Sequence, residues 1–143
     1  EANNYYDFDQ LWLLGKNYLE TCPEVNVIRI RQLYYTKHFE EANQLAEYLI
    51  NYSLSTFDHA MAFLVMGMIN YQKAAYQTAI STLNKVVMLF PEYKDVRSKA
   101  IYYIIRSLFD SGASTEAEVF FIQYENELTI TDKTELAELL EGI

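Results

Sequence analysis

Turn-forming residues are scarce in this chain, with four glycines and two prolines among 143 residues. A β-meander or sandwich needs a turn signal about every 8–12 residues, so an all-β fold is excluded. Cysteine is nearly absent: Cys22 has no partner for an internal disulfide and reads as an inert buried thiol. Long apolar runs are missing as well. The longest, Phe63 to Ile69 and Ile101 to Ile105, fall short of the ~20 residues a membrane span requires, so no direct membrane span is expected. Positive charge is in deficit, with eleven Lys and Arg against twenty Asp and Glu and a net charge of -9. Such a surface repels a phosphate backbone, which argues against nucleic acid as a partner. The first residue is Glu and not Met, and the expectation is a trimmed or processed fragment.

What is present is 51% hydrophobic residues, rich in the helix formers Ala, Leu, Glu and Gln. The expectation is an all-α fold in a single domain over 1–143, long enough to need no metal or disulfide staple. Charge is uneven. Lys94, Arg97, Lys99 and Arg106 lie close together, whereas Asp110 to Ile143 holds nine acids and the single base Lys133, which predicts a polar field along an elongated molecule. Asn51-Tyr52-Ser53 matches a glycosylation acceptor but falls where a helix is expected to end.

The chain resembles itself at a fixed spacing. Asp7 to Glu24 and Ala75 to Glu92 are both helix-length apolar patterns closed by Pro-Glu, and Pro23 and Pro91 stand 68 residues apart. Ala42, Ala79 and Ala117 each follow a short polar break, at spacings of 37 and 38, and supply a small residue where two helices approach closely. Ahead of each runs another segment with apolar residues at i, i+3, i+4 and i+7. Helices are predicted at 7–20, 24–36, 39–52, 57–73, 75–90, 93–111, 114–127 and 132–141. Short connections make neighbours antiparallel. Gly112 marks a stop, Ser114 reads as an N-cap, and Asp132 with Glu135 fits a capping box.

On these residues the sequence resembles the tetratricopeptide repeat family, whose signature is a helix hairpin of about 34 residues. Ala60 to Tyr93 carries the match best: Phe63, Met66 and Gly67 in the first helix, Tyr71, then Ala79, Leu83, Val86 and the closing Pro91. The next hairpin carries Ile101, Ile104, Leu108, Gly112, Ala117, Phe121 and Tyr124 without the proline, and the preceding one mainly Tyr34, Phe39 and Ala42. The resemblance implies an α-solenoid of about three hairpins, 24–54, 57–93 and 94–131, with a half repeat at 7–23 and a capping helix at 132–141. Phrasing such as Lys85-Val-Val-Met-Leu-Phe-Pro-Glu-Tyr is similar to bacterial envelope scaffolds of this family, which leans localisation toward the periplasm or envelope.

In that family first helices line a concave groove. The resemblance places Val27, Arg31, Tyr34 and Tyr35, then Met61, Leu64, Met68, Tyr71 and Gln72, then Lys99, Tyr102, Arg106 and Phe109 on its wall. Tyr and Arg are frequent binding hot spots and Met surfaces adapt to varied partners. The expected partner is a protein, as an extended segment or amphipathic helix, with Tyr71 and Tyr102 stacking and Arg31, Lys99 and Arg106 pairing with acids. Self-association is a further use of that face. Lys99 fits the carboxylate clamp of the chaperone-binding subgroup, but Val27, Arg31, Val65 and Tyr103 replace its other members. The alternative reading is a type III secretion-like chaperone holding a secreted or aggregation-prone partner.

No enzyme is expected. His38 and His59 lie near turns and read as surface residues, no His pair is spaced for a metal, and Gly15, Gly67, Gly112 and Gly142 are too scattered to cradle a phosphate. Neither cofactor nor metal is called for.

Overall fold

The computed structural model describes residues 23–142, and every regular element among them is helical. The order is α1 (Pro23–Tyr35), α2 (Phe39–Tyr52), α3 (Thr56–Gln72), α4 (Tyr76–Leu89), α5 (Lys94–Asp110), α6 (Ser114–Tyr124), a 3-10 turn at Glu125–Glu127, and α7 (Ile130–Glu141). The predicted helix at 7–20, with the half repeat 7–23 and Cys22, falls outside these residues. Two compact units divide the chain, Glu1–Ala62 and Phe63–Ile143, and the division falls within α3. In the first, α1 packs on α2; in the second, α5 packs against α4, α6 and α7, and α6 packs against α7.

Each helix buries the stripe its sequence supplies. In α2, Ala42, Leu45, Ala46 and Leu49 are buried while Glu40 and Glu41 sit in the first turn, where the helix dipole favours negative charge. In α4 the corresponding stripe is Ala79, Leu83, Val86 and Val87. Ala42, Ala79 and Ala117 are all fully buried, as the spacing predicts.

Three helix ends share one geometry. Lys37, Ala74 and Gly112, which close α1, α3 and α5, have φ of 64°, 59° and 92°. The N–H of each reaches the carbonyl three residues back: Lys37 to Tyr34 and Ala74 to Tyr71 at 3.0 Å, Gly112 to Phe109 at 3.1 Å. The next N–H reaches five residues back, from His38 to Leu33 at 2.8 Å and from Ala75 to Asn70 and Ala113 to Leu108 at 2.9 Å. These paired bonds are a Schellman closure, satisfying carbonyls the ending helix would otherwise orphan. His38, Ala75 and Ala113 then start the following helix without a side-chain cap. Ser114 is therefore not the predicted N-cap. The turn hands the chain directly into α6, and Ser114 is its first helical residue. The left-handed residues repeat at 37 and 38, the alanine spacing.

The approach of α3 to α4 is close. A Cβ built on Gly67 would lie 2.4 Å from Cγ and Cδ2 of Leu83, so only hydrogen fits there. Phe63 and Phe90 stack at 6.2 Å nearby.

Two caps depart from the predicted ones. Helix α7 begins at Ile130, two residues early, because Thr129 is its cap: the Thr129 hydroxyl accepts from the Asp132 N–H at 3.1 Å. Asp132 is thus the third helical residue, and its carboxylate turns to α5. The entry to α3 holds a cap the sequence reading passed over, Ser55-x-x-Asp58. The Asp58 N–H donates to Ser55 Oγ at 3.3 Å, and Ser53 Oγ donates to the fully buried Asp58 carboxylate at 2.7 Å. His59 Nε2 lies 2.8 Å from the Ser53 carbonyl, which ties it to the same turn.

Candidate partner-binding site

The expected wall residues separate into three groups. Tyr34, Met61, Leu64 and Met68 expose only 6–8% of their surface. They belong to the core and are not open wall; helical spacing gives an inward and a wall-facing apolar residue the same signature. Tyr34 meets Tyr35 edge-on at 5.2 Å and Phe39 at 5.7 Å. Val27 is half-buried, whereas Arg31, Tyr35 and Gln72 are exposed. Phe109 is half-buried at the end of α5.

The remaining four, Tyr71, Lys99, Tyr102 and Arg106, come together. Lys99, Tyr102, Tyr103, Arg106 and Asp110 follow one face of α5 at helical spacing. Against them stand Asp132 and Glu135, three residues apart on α7. Lys99 Nζ donates to Asp132 at 3.0 Å. The Tyr102 hydroxyl donates to Glu135 Oε1 at 2.9 Å, and Arg106 Nη1 donates to the same oxygen at 3.0 Å. Tyr71 donates to Asp110 at 2.5 Å, and Arg106 Nη2 lies 3.8 Å from that carboxylate. Tyr71 and Tyr102 do not stack on one another; Tyr103 lies 5.4 Å from the first ring and 5.0 Å from the second, edge-on to both. Lys99 sits over the Tyr102 ring and Arg106 over the Tyr71 ring, at 5.1 and 5.9 Å.

For Lys99 and Arg106, the acids expected from a partner are thus supplied by Asp132 and Glu135 of the chain's own C-terminal helix. Burial, helped by the hydrogen bond to Asp110, pushes the Tyr71 phenol well above its ordinary value. Burial and the bond to Glu135 push Tyr102 up as well. Both phenols are held as hydrogen-bond donors to carboxylates.

A third link lies beside this cluster. Arg97 Nε and Nη2 fork onto the Glu127 carboxylate at 2.5 and 3.3 Å, and Nη1 donates to the Val87 carbonyl. With Lys99–Asp132 and Arg106–Glu135, it joins the basic stretch of α5 to the acidic segment that follows. Three of the four clustered cations thus fold against carboxylates of that segment. Asp110, Asp132 and Glu135 were missed as partners of the site. The signal was the charge asymmetry itself, with acids at i, i+3 on a C-terminal helix following a basic one.

In the first unit, Arg29 is buried, with Nη1 donating to Gln32 at 3.2 Å and Nη2 lying 3.9 Å from Glu41. Burial pulls its pKa down from the usual guanidinium value.

Among the described residues no group of three or more His, Cys, Asp or Glu side chains could hold a metal ion, and no helix is long and apolar enough to cross a membrane. Comparison with protein-family models, curated proteins and solved structures finds no match to this chain.

Proposed function

We propose that the chain is a non-catalytic protein-interaction scaffold, a short solenoid of tetratricopeptide-like hairpins that holds a partner segment against its first helices. The observation that carries this reading is the α5 row, where Lys99, Tyr102 and Arg106 grip the acidic α7 through Asp132 and Glu135. The row is an internal precedent for such docking: its rings and cations hold the chain's own acidic helix, so a partner segment would use the other first-helix residues. The repeated turns at Lys37, Ala74 and Gly112 support the hairpin register. Arg31 and Tyr35 on α1 and Gln72 on α3 are exposed residues of the first helices.

Site-specific photo-crosslinking from Tyr35 and Gln72 in source cells tests the proposal, with Gln44 and Gln77 on the second helices as controls. A discrete protein adduct at the first-helix positions, absent from the controls, is the expected result. Adducts confined to the second helices, or none at any position, overturn it.

A further inference from the structure

Helices α6 and α7 leave an open apolar groove of about 190 Å³, floored by Phe121, Ile122, Ala137 and Leu140. Four consecutive apolar residues, Val119 to Ile122, run round α6. Packing on α5 takes Ala117 inward, while Val119 and Ile122 stay 60% and 70% exposed. Carboxylates edge the groove, for Glu118 and Glu141 line it and neither is paired with a cation among the described residues. The nearby acids Glu127, Asp132 and Glu135 are instead paired with cations of α5.

We propose that this groove docks a basic amphipathic helix of a partner protein, its aliphatic anchors on Ile122 and Leu140 and its Lys or Arg residues against Glu118 and Glu141. Two neighbouring helices present a furrow that a third helix fills with an i, i+3/i+4 ridge. The rim demands positive charge on that helix. A second copy seated face to face through this groove would bring Glu118 and Glu141 near their own like charges, which disfavours a two-fold dimer here. The inference goes beyond the first-helix reading by adding a second docking place with a partner class of its own. It uses other residues than the first-helix positions, so the crosslinking result and this one fail independently.

The test uses labelled synthetic peptides of about five helical turns: one with leucines on one face and lysines on the other, one with that composition scrambled, and one with glutamates for lysines. Binding to the whole chain is followed by fluorescence anisotropy at low and moderate salt. The facial lysine peptide should bind about tenfold tighter than the scrambled one, and the glutamate peptide should not bind. Ile122→Ser should weaken binding about tenfold, and Glu118→Gln with Glu141→Gln should weaken it and flatten its salt dependence. All three side chains lie at the surface, and circular dichroism of each variant verifies the fold. Equal binding of facial and scrambled peptides, or binding unmoved by Ile122→Ser, overturns the proposal. So does sedimentation showing a dimer that Ile122→Ser abolishes, which would make a second copy the occupant.

Discussion

Arg97 donates through Nη1 to the carbonyl of Val87, in the last turn of α4. That carbonyl cannot take the usual helical bond from four residues on, because that residue is Pro91 and has no N–H. The same guanidinium forks onto Glu127, a bond that raises its pKa further. One side chain therefore closes α4, anchors the start of α5 and holds the turn after α6.

Removing that fork should be felt in stability. Arg97→Met leaves the Val87 carbonyl and Glu127 without their donor, and about 1–3 kcal/mol of stability should be lost in urea unfolding. Arg97→Lys should recover less than half of it, since one ammonium cannot serve a carbonyl and a carboxylate on two sides. Full recovery by Lys would show that charge alone matters.

The three Schellman turns give a matched pair of substitutions. Gly112 has φ 92° and nothing within 4 Å of a built Cβ, so Gly112→Ala tests backbone conformation alone. It should destabilise by about 1 kcal/mol, whereas Ala74→Gly, at φ 59° on an exposed residue, should stabilise by about 0.5–1 kcal/mol. Opposite shifts in the urea midpoint at an unchanged slope are the expected reading.

The alkaline limb of stability belongs to the α5 cluster. Tyr71 and Tyr102 have pKa values raised above the ordinary 10.0 by burial and by carboxylate acceptors. A raised value in the folded state means the phenols contribute stability that is fully present below pH 10.0, and that is lost as pH rises through the folded value. Absorbance titration at alkaline pH should show Tyr71→Phe removing a late-titrating phenol and not an early one. The variant should also lose less stability than the parent above pH 10.0.

Much of this was legible in the sequence, and the gaps have physical causes. Ala42, Ala79 and Ala117 announced the hairpin register because close helix packing tolerates little else, and Gly112 announced its turn because glycine favours positive φ. Lys37 and Ala74 occupy the same conformation without that signature, being placed there by the bonds of the turn. Met61, Leu64 and Met68 were read as wall because an apolar residue at helical spacing does not say which side of the helix is covered. The row of Lys99, Tyr102 and Arg106 was visible, but its counter-charges on α7 were assigned to an outside partner, since spacing along α5 carries no record of what packs across it.

Gly67 and Leu83 set how closely α3 and α4 approach. Gly67→Ala would gain about 1 kcal/mol in helix propensity. The added methyl, however, would meet Cγ and Cδ2 of a fully buried leucine at 2.4 Å, and overpacking of that kind costs typically 1–3 kcal/mol. The net effect should be destabilising, with a lower thermal midpoint. Shortening the opposing side chain is the decisive control. In Leu83→Ala both clashing atoms, Cγ and Cδ2, are gone, so Gly67→Ala should cost less there than in the parent, and the double variant should be more stable than the two single effects added together. Simple additivity would mean that α3 moves away to make room, and that the glycine is not what holds the two helices together.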